Sequence, residues 1–141
     1  MKSRRQSRVM AMQLLYAMAQ QKAPLSIVLN GVMSTIEISD QQKEYGMKLV
    51  DLVQEHSSPI HSEIEAVLEN WSWERVALID GIILKIAWSE LKFCGETPPK
   101  VSITEAIAIS KKYSTEDSPK FINGVLDRLA TDILTNSSKD K

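Results

Sequence analysis

The sequence predicts an all-α protein of seven helices. Apolar residues recur at helical spacing through most of the chain, side-chain capping signals punctuate it, and no stretch sustains the alternation of a strand.

The first helix is expected from about Arg4 to Gln21, unbroken by Gly or Pro and closed by Ala23-Pro24. A second spans roughly Leu25 to Ile36. Ser39 followed by Gln42 forms a capping box for a third, Asp40 to about His56, with Leu49, Leu52 and Val53 apolar. Ser58-Pro59 places an N-cap before a proline at the first helical position, opening a fourth helix to about Glu69 whose Ile60, Ile64, Val67 and Leu68 form one stripe. Ser72 is a natural N-cap for a fifth helix, Trp73 to about Phe93, with Trp71 and Val76 at the positions of a hydrophobic staple. Val76, Ile79, Ile83 and Ile86 line one face of it, and Leu84, Ala87 and Leu91 widen the stripe. A helix apolar this far round belongs at the centre, touched from several sides. Ser102 with Glu105 makes a second capping box for a sixth helix ending near Tyr113. Ser118-Pro119 opens a seventh, with Ile122, Leu126, Leu129 and Ile133 facing inward. Asn123-Gly124 reads as a turn in isolation, but the apolar spacing runs through it. Gly there implies close approach of another backbone or a ligand.

At 141 residues, 43% hydrophobic and 25% charged, the chain can bury a real core as one domain or two closely packed halves. No run approaches the roughly 18 apolar residues of a membrane span, and the amphipathic start lacks the pattern of a signal peptide. One cysteine, Cys94, excludes an internal disulfide and suits a reducing cytoplasm. The net charge of −1 conceals an asymmetry. Lys2, Arg4, Arg5, Arg8 and Lys22 are the only charged side chains before Glu37, so the other twelve basic residues face all eighteen acidic ones beyond it. A basic end on an acidic body suits an anionic partner met at one end, or a merely solvated helix terminus.

Catalytic constellations are scarce. His56 and His61 are separated by a Ser-Pro break and do not share a helix face as metal ligands would. Cys94 has no histidine or second cysteine nearby. Asp80 and Glu90 lie about 80° and roughly 15 Å apart on one helix, too far for an acid/base pair. No phosphate-binding glycine motif or nucleophile elbow is present. The expectation is a non-enzyme without cofactor or metal. The opening helix offers more, because Arg4, Arg5 and Arg8 fall within about 100° of arc. Tyr16, eleven residues after Arg5, returns to within about 20° of the same direction. Such a face can grip phosphates and stack an unpaired base, which suits single-stranded RNA better than duplex DNA. Tyr16 reads equally well as a core or boundary aromatic.

Several segments together resemble the NusB family over nearly the whole chain. Val101-Ser-Ile-Thr-Glu-Ala-Ile and Lys120-Phe-Ile-Asn-Gly-Val-Leu-Asp127 are similar to the family pattern V-x-I-N-E-A-hydrophobic followed by K-F-hydrophobic-N-G-V-L-D. Ile83 to Leu91 resembles I-L-R-hydrophobic-A-x-x-E-L, and Arg4 to Tyr16 resembles an arginine-rich start ending in Q-x-L-Y. Residues 23–70 match mainly in apolar spacing. The resemblance implies a seven-helix fold in two packed helical subdomains, about 1–70 and about 71–136, while the last five residues, 137–141, read by themselves as a frayed tail. It implies binding of boxA-type RNA as a heterodimer with NusE, a small-subunit ribosomal protein, within an antitermination complex on RNA polymerase that serves ribosomal RNA synthesis. By motif, Arg4, Arg5, Arg8 and Tyr16 correspond to the RNA-contacting helix. Asp117, Lys120, Phe121 and Asn123 correspond to a segment near the RNA, and Asp80 and Lys85 to the region of NusE contact. Asp117 could instead cap a helix, Asn123 could be a buried amide, and Phe121 could be core. Gln6 and Ser7 interrupt the arginine run, Thr104 stands for Asn and Asp80 for Glu, so weaker RNA binding and greater reliance on NusE are expected. A helical module that binds NusE with little RNA affinity is the alternative, and self-association into a homodimer stays open.

Overall fold

The computed structural model describes residues 4–69 and 72–139, with side-chain surroundings as far as Thr131. Among these are α1 (Arg5–Gln21), α2 (Leu25–Met33), α3 (Asp40–Glu55), α4 (Ser57–Ala66), a 3-10 turn (Trp73–Arg75), α5 (Leu78–Phe93), α6 (Pro99–Tyr113) and α7 (Ser118–Lys139), with no strand. The all-helical class and the number of helices follow the sequence expectation.

Helix α5 lies at the centre and packs against α1, α3, α4, α6 and α7, as the breadth of its apolar surface requires. Ile82, Ile83, Leu84, Ile86, Ala87 and Trp88 are all buried. They join Met10 and Leu14 of α1, Leu49 and Val50 of α3, Ile60 and Ile64 of α4, and Ile122, Val125 and Leu126 of α7 in one continuous apolar cluster. Ile122, Leu126 and Leu129 face inward as expected, whereas the side chain of Ile133 lies outside the described residues. Helices α1 and α3 come closest at small side chains. The Ser7 hydroxyl donates to the Gln42 carbonyl at 2.7 Å, and a Cβ on Gly46 would fall 2.9 Å from the Ser7 carbonyl oxygen.

Helix boundaries show which capping signals were used locally. Ser39 and Gln42 form the expected reciprocal box, at 3.1 and 3.0 Å. Helix α2 stops at Met33, before the expected Ile36, because the hydroxyls of Ser34 and Thr35 turn back onto the carbonyls of Gly31 and Val32, both at 2.7 Å. Helix α4 begins two residues early, at Ser57 in place of Pro59, capped by His56 without a side-chain bond, and ends at Ala66 instead of Glu69. Trp73 does not start α5. It begins an isolated 3-10 turn, Val76 and Ala77 are extended, and Ser72 makes no capping bond. The reason lies in the Trp73 indole, which folds back against α5 so closely that a Cβ on Gly81 would meet it at 3.2 Å. Trp71, the other half of the expected staple, lies outside the described residues. Helix α6 starts at Pro99, so Ser102 and Glu105 sit inside it and form no capping box. Both are drawn instead into ion-pair chemistry.

At Gly124 only the backbone half of the expectation is corrected: a Cβ there would meet only the Arg128 guanidinium at 3.7 Å, so no neighbouring backbone within the chain demands glycine.

The glycines give a paired test. Gly31→Ala should stabilise by about 0.5–1 kcal/mol, because helix propensity improves and nothing lies within 4 Å of the new methyl. Gly46→Ala should instead destabilise by about 1–3 kcal/mol, since α1 must move away from α3. Urea melts of both variants beside the parent check this, and equal shifts would refute the close approach.

Candidate nucleic-acid interface

The three arginines of α1 have different surroundings. Arg8 points inward with 6% of its side chain exposed, against Glu90 at 1%. Its Nε donates to Glu90 Oε1 at 3.0 Å and its Nη2 to Oε2 at 3.0 Å, a forked grip, while Nη1 reaches Glu105 Oε1 at 3.4 Å. Glu90 also accepts from the Ser102 hydroxyl at 2.6 Å and from the Tyr45 phenol. Burial first, and then the bond to Glu90, push that phenol well above its usual range. The expectation that Arg8 shares an open positive face with Arg4 and Arg5 is therefore corrected. A guanidinium this dry is held by fixed carboxylates and ties α1 to α5 and α6, while the Tyr45 phenol brings α3 to the same Glu90.

Arg4 and Arg5 keep 44% and 53% of their side chains exposed. Arg4 lies with its guanidinium carbon 4.1 Å from the centre of the Tyr45 ring, donates to the Thr97 hydroxyl at 3.2 Å and sits 3.8 Å from Glu96. Arg5 forks onto Glu105 through Nε at 3.0 Å and Nη2 at 2.6 Å. That hydrogen bond is the main reason the Glu105 carboxyl is held below the usual carboxylate range, and it raises Arg5 in turn.

Arg4, Ser7 and Arg8 line a groove of about 640 Å³ with Gln41, Gln42, Tyr45, Pro98, Val101 and the two partner glutamates. Gln41 and Gln42 lie in the first turn of α3, Pro98 caps α6 and Arg4 caps α1. Three helix N-termini, each a region of positive potential, therefore open on one groove. Tyr16 is not part of it. Eleven residues beyond Arg5 place it about 16 Å farther along α1, half-buried against the core, with its hydroxyl accepting from Gln20 at 2.9 Å.

Asp117, Lys120 and Phe121 meet in a second groove of about 510 Å³ with Arg75, Val76, Ala77, Asp80, Thr115 and Ser118. Asp80 is 6% exposed and accepts from the hydroxyls of Ser114 and Ser118 at 2.5 and 2.8 Å. Its carboxylate thus anchors the α6–α7 turn and is not itself open to solvent. Phe121 is half-buried against the core. Lys120 and Asn123 are exposed on α7, so Asn123 is not a buried amide. Lys85 lies with its ammonium 4.9 Å from the Trp73 ring, and burial lowers its pKa.

Sequence reasoning missed Tyr45, Glu96 and Thr97, and it assigned Ser102 and Glu105 to a cap. Glu90 did carry a readable signal, being an ionisable residue on the most apolar helix of the chain. Among the described residues no group of three His, Cys, Asp or Glu could hold a metal ion.

Two predictions follow from the unequal burial. Arg8→Ala should cost about 3–5 kcal/mol by leaving Glu90 buried and unpaired, whereas Arg4→Ala and Arg5→Ala should each stay within about 1 kcal/mol. Equal losses in denaturant melts would contradict the division. Because the Glu105 carboxyl titrates lower in the folded chain, its contribution is complete above the unfolded value and is lost as pH falls through the folded one. The stability gap between the parent and Glu105→Gln should therefore be widest near about pH 7 and close towards about pH 2; a gap that widens on acidification would overturn the assignment.

The NusB family sequence profile matches residues 5–131. A transcription antitermination protein NusB from Chloroherpeton thalassium is 40% identical over 126 residues, covering 89% of this chain and 60% of that protein. A solved structure of T. maritima NusB superposes with a TM-score of 0.82 at 32% identity, covering 92% of each chain. A structure of the antitermination factors NusB and NusE with double-stranded RNA gives 0.77 at 29% identity, covering 89% of this chain and 93% of the other. The sequence profile and the shared arrangement of helices agree: this chain belongs to the NusB family.

Proposed function

We propose that this chain is a non-enzymatic transcription antitermination factor of the cytoplasm that binds boxA-type RNA together with NusE and supports ribosomal RNA transcription. The observation that carries the reading is the groove where α1, α3 and α6 begin, with a half-exposed Arg4 in its lining and a half-exposed Arg5 bonded to Glu105, which lines it too. Helix N-termini and guanidinium groups favour the same ligand chemistry, a chain of phosphates. Membership of the NusB family and likeness to a NusB–NusE–RNA complex support it. No helix among the described residues is long and apolar enough to cross a membrane.

Within this reading Arg4 and Arg5 contact phosphate, and Arg8 positions the helix that carries them. Tyr16, Lys120, Phe121 and Asn123 extend the RNA path, with Asp117 at its margin. Lys85 lies towards NusE, while Asp80 acts there through the turn it anchors. An arginine pair near an aromatic ring suits an unpaired strand, whereas the related complex holds double-stranded RNA. Competition between the two forms distinguishes them.

One observation favours a second reading, a module that binds NusE with little RNA affinity of its own. Each of Arg4, Arg5 and Arg8 already faces a carboxylate.

Titration of boxA-like and scrambled RNA, with and without NusE, separates the two readings. The RNA factor should bind boxA-like RNA more tightly once NusE is present, with a log–log salt slope of roughly −2 to −3, at about −0.7 per neutralised phosphate. Arg4→Ala with Arg5→Ala should flatten that slope by about 1.4. An unchanged slope removes α1 from the interface, and NusE capture without RNA binding at low salt selects the second reading.

A further inference from the structure

We infer that Glu96 and Glu105 are internal competitors of RNA in this groove: Glu105 occupies the Arg5 guanidinium that phosphate must reach, and Glu96 weakens the positive potential at Arg4. The inference rests on the groove being the RNA interface and adds what sets its strength.

Around the groove three guanidinium groups face three carboxylates: Arg4 with Glu96, Arg5 with Glu105 and Arg8 with Glu90. The formal charge of this cluster is zero, although α1 read alone looks strongly basic. The pairs differ in how readily a ligand can exchange them. Arg8 and Glu90 are both nearly dry, so opening that pair would strand a buried charge. Arg5 is 53% exposed over a Glu105 that is 15% exposed, and Arg4 and Glu96 are 44% and 62% exposed at 3.8 Å. In both of these pairs the arginine stands about half in solvent, and at the open Arg4–Glu96 pair the contact is worth at most about 1 kcal/mol, within reach of an incoming polyanion.

The geometry makes the competition direct at Arg5. Glu105 takes the Nε and Nη2 edge of the guanidinium in a fork, and a phosphate takes the same edge in the same way. Carboxylate and phosphate cannot both hold it. At Arg4 the competition acts through charge, since Glu96 reduces the potential that a phosphate would feel. Glu105 also touches Arg8, so the locked pair keeps the competing carboxylate in place.

Glutamine in place of glutamate keeps an acceptor oxygen for arginine and removes the charge. The test is binding of a single-stranded RNA oligonucleotide by the full chain at low salt, for Glu96→Gln, Glu105→Gln and the double variant. Each single change should tighten binding about two- to fivefold, and the gain should vanish as salt rises to about 0.5 M. Glu96→Gln alters an exposed side chain and carries the test if Glu105→Gln melts early. Binding that is unchanged or weaker, or a gain that salt does not remove, overturns the inference. The Arg4→Ala, Arg5→Ala double variant is measured beside them. Loss of binding there with no gain from the glutamines defeats only the competition, whereas RNA binding equal to the parent's defeats both the competition and the interface.

Discussion

The forked ion pair between Arg8 and Glu90 is the constraint on which the rest of the structure depends. Glu90 lies within the central helix and accepts from the guanidinium of α1, the phenol of Tyr45 on α3 and the hydroxyl of Ser102 on α6. A carboxylate removed from water is tolerated only when its lone pairs are satisfied, so these four helices must meet in one register. Apolar packing alone would accept several rotations of α1 against α3 and α5. The buried charge accepts one.

That register fixes the geometry of the surface above it. With Arg8 turned inward, Arg4 lines the groove, Arg5 grips Glu105 at its wall, and the first turns of α3 and α6 are brought beside them. The Arg4 guanidinium resting on Tyr45 links the rim to the lock, because the same phenol donates to Glu90. At the other end of α5, Asp80 plays a related part. It collects two hydroxyls from the α6–α7 turn and so sets where α7 presents Lys120 and Asn123. In both places a buried carboxylate positions, and exposed neighbours are left to meet a partner.

The helices were legible because apolar spacing and capping residues act locally. Ser39 and Gln42 do in the fold what they promise in the sequence, and the breadth of the apolar face on α5 identified the central helix. Misreadings arose where a distant partner outbid a local one. Ser102 and Glu105 have the spacing of a cap, yet Glu90, Arg5 and Arg8 claim them across helices. Trp73 looks like the first turn of a long helix, but its ring is seated against Gly81 and the chain bends to allow it. The same limit applies to the interface. A helical wheel placed three arginines on one side of α1, and it could not say that one of them would find a buried glutamate about eighty residues away.

The claim that Arg8 is locked while its two neighbours face the ligand can be observed directly by following arginine Nε–H resonances by NMR during an RNA titration. The account predicts an Arg8 signal that exchanges slowly with solvent and barely moves, while those of Arg4 and Arg5 exchange quickly and shift as RNA is added. An Arg8 signal that exchanges as fast as the other two, or shifts with them, would contradict it.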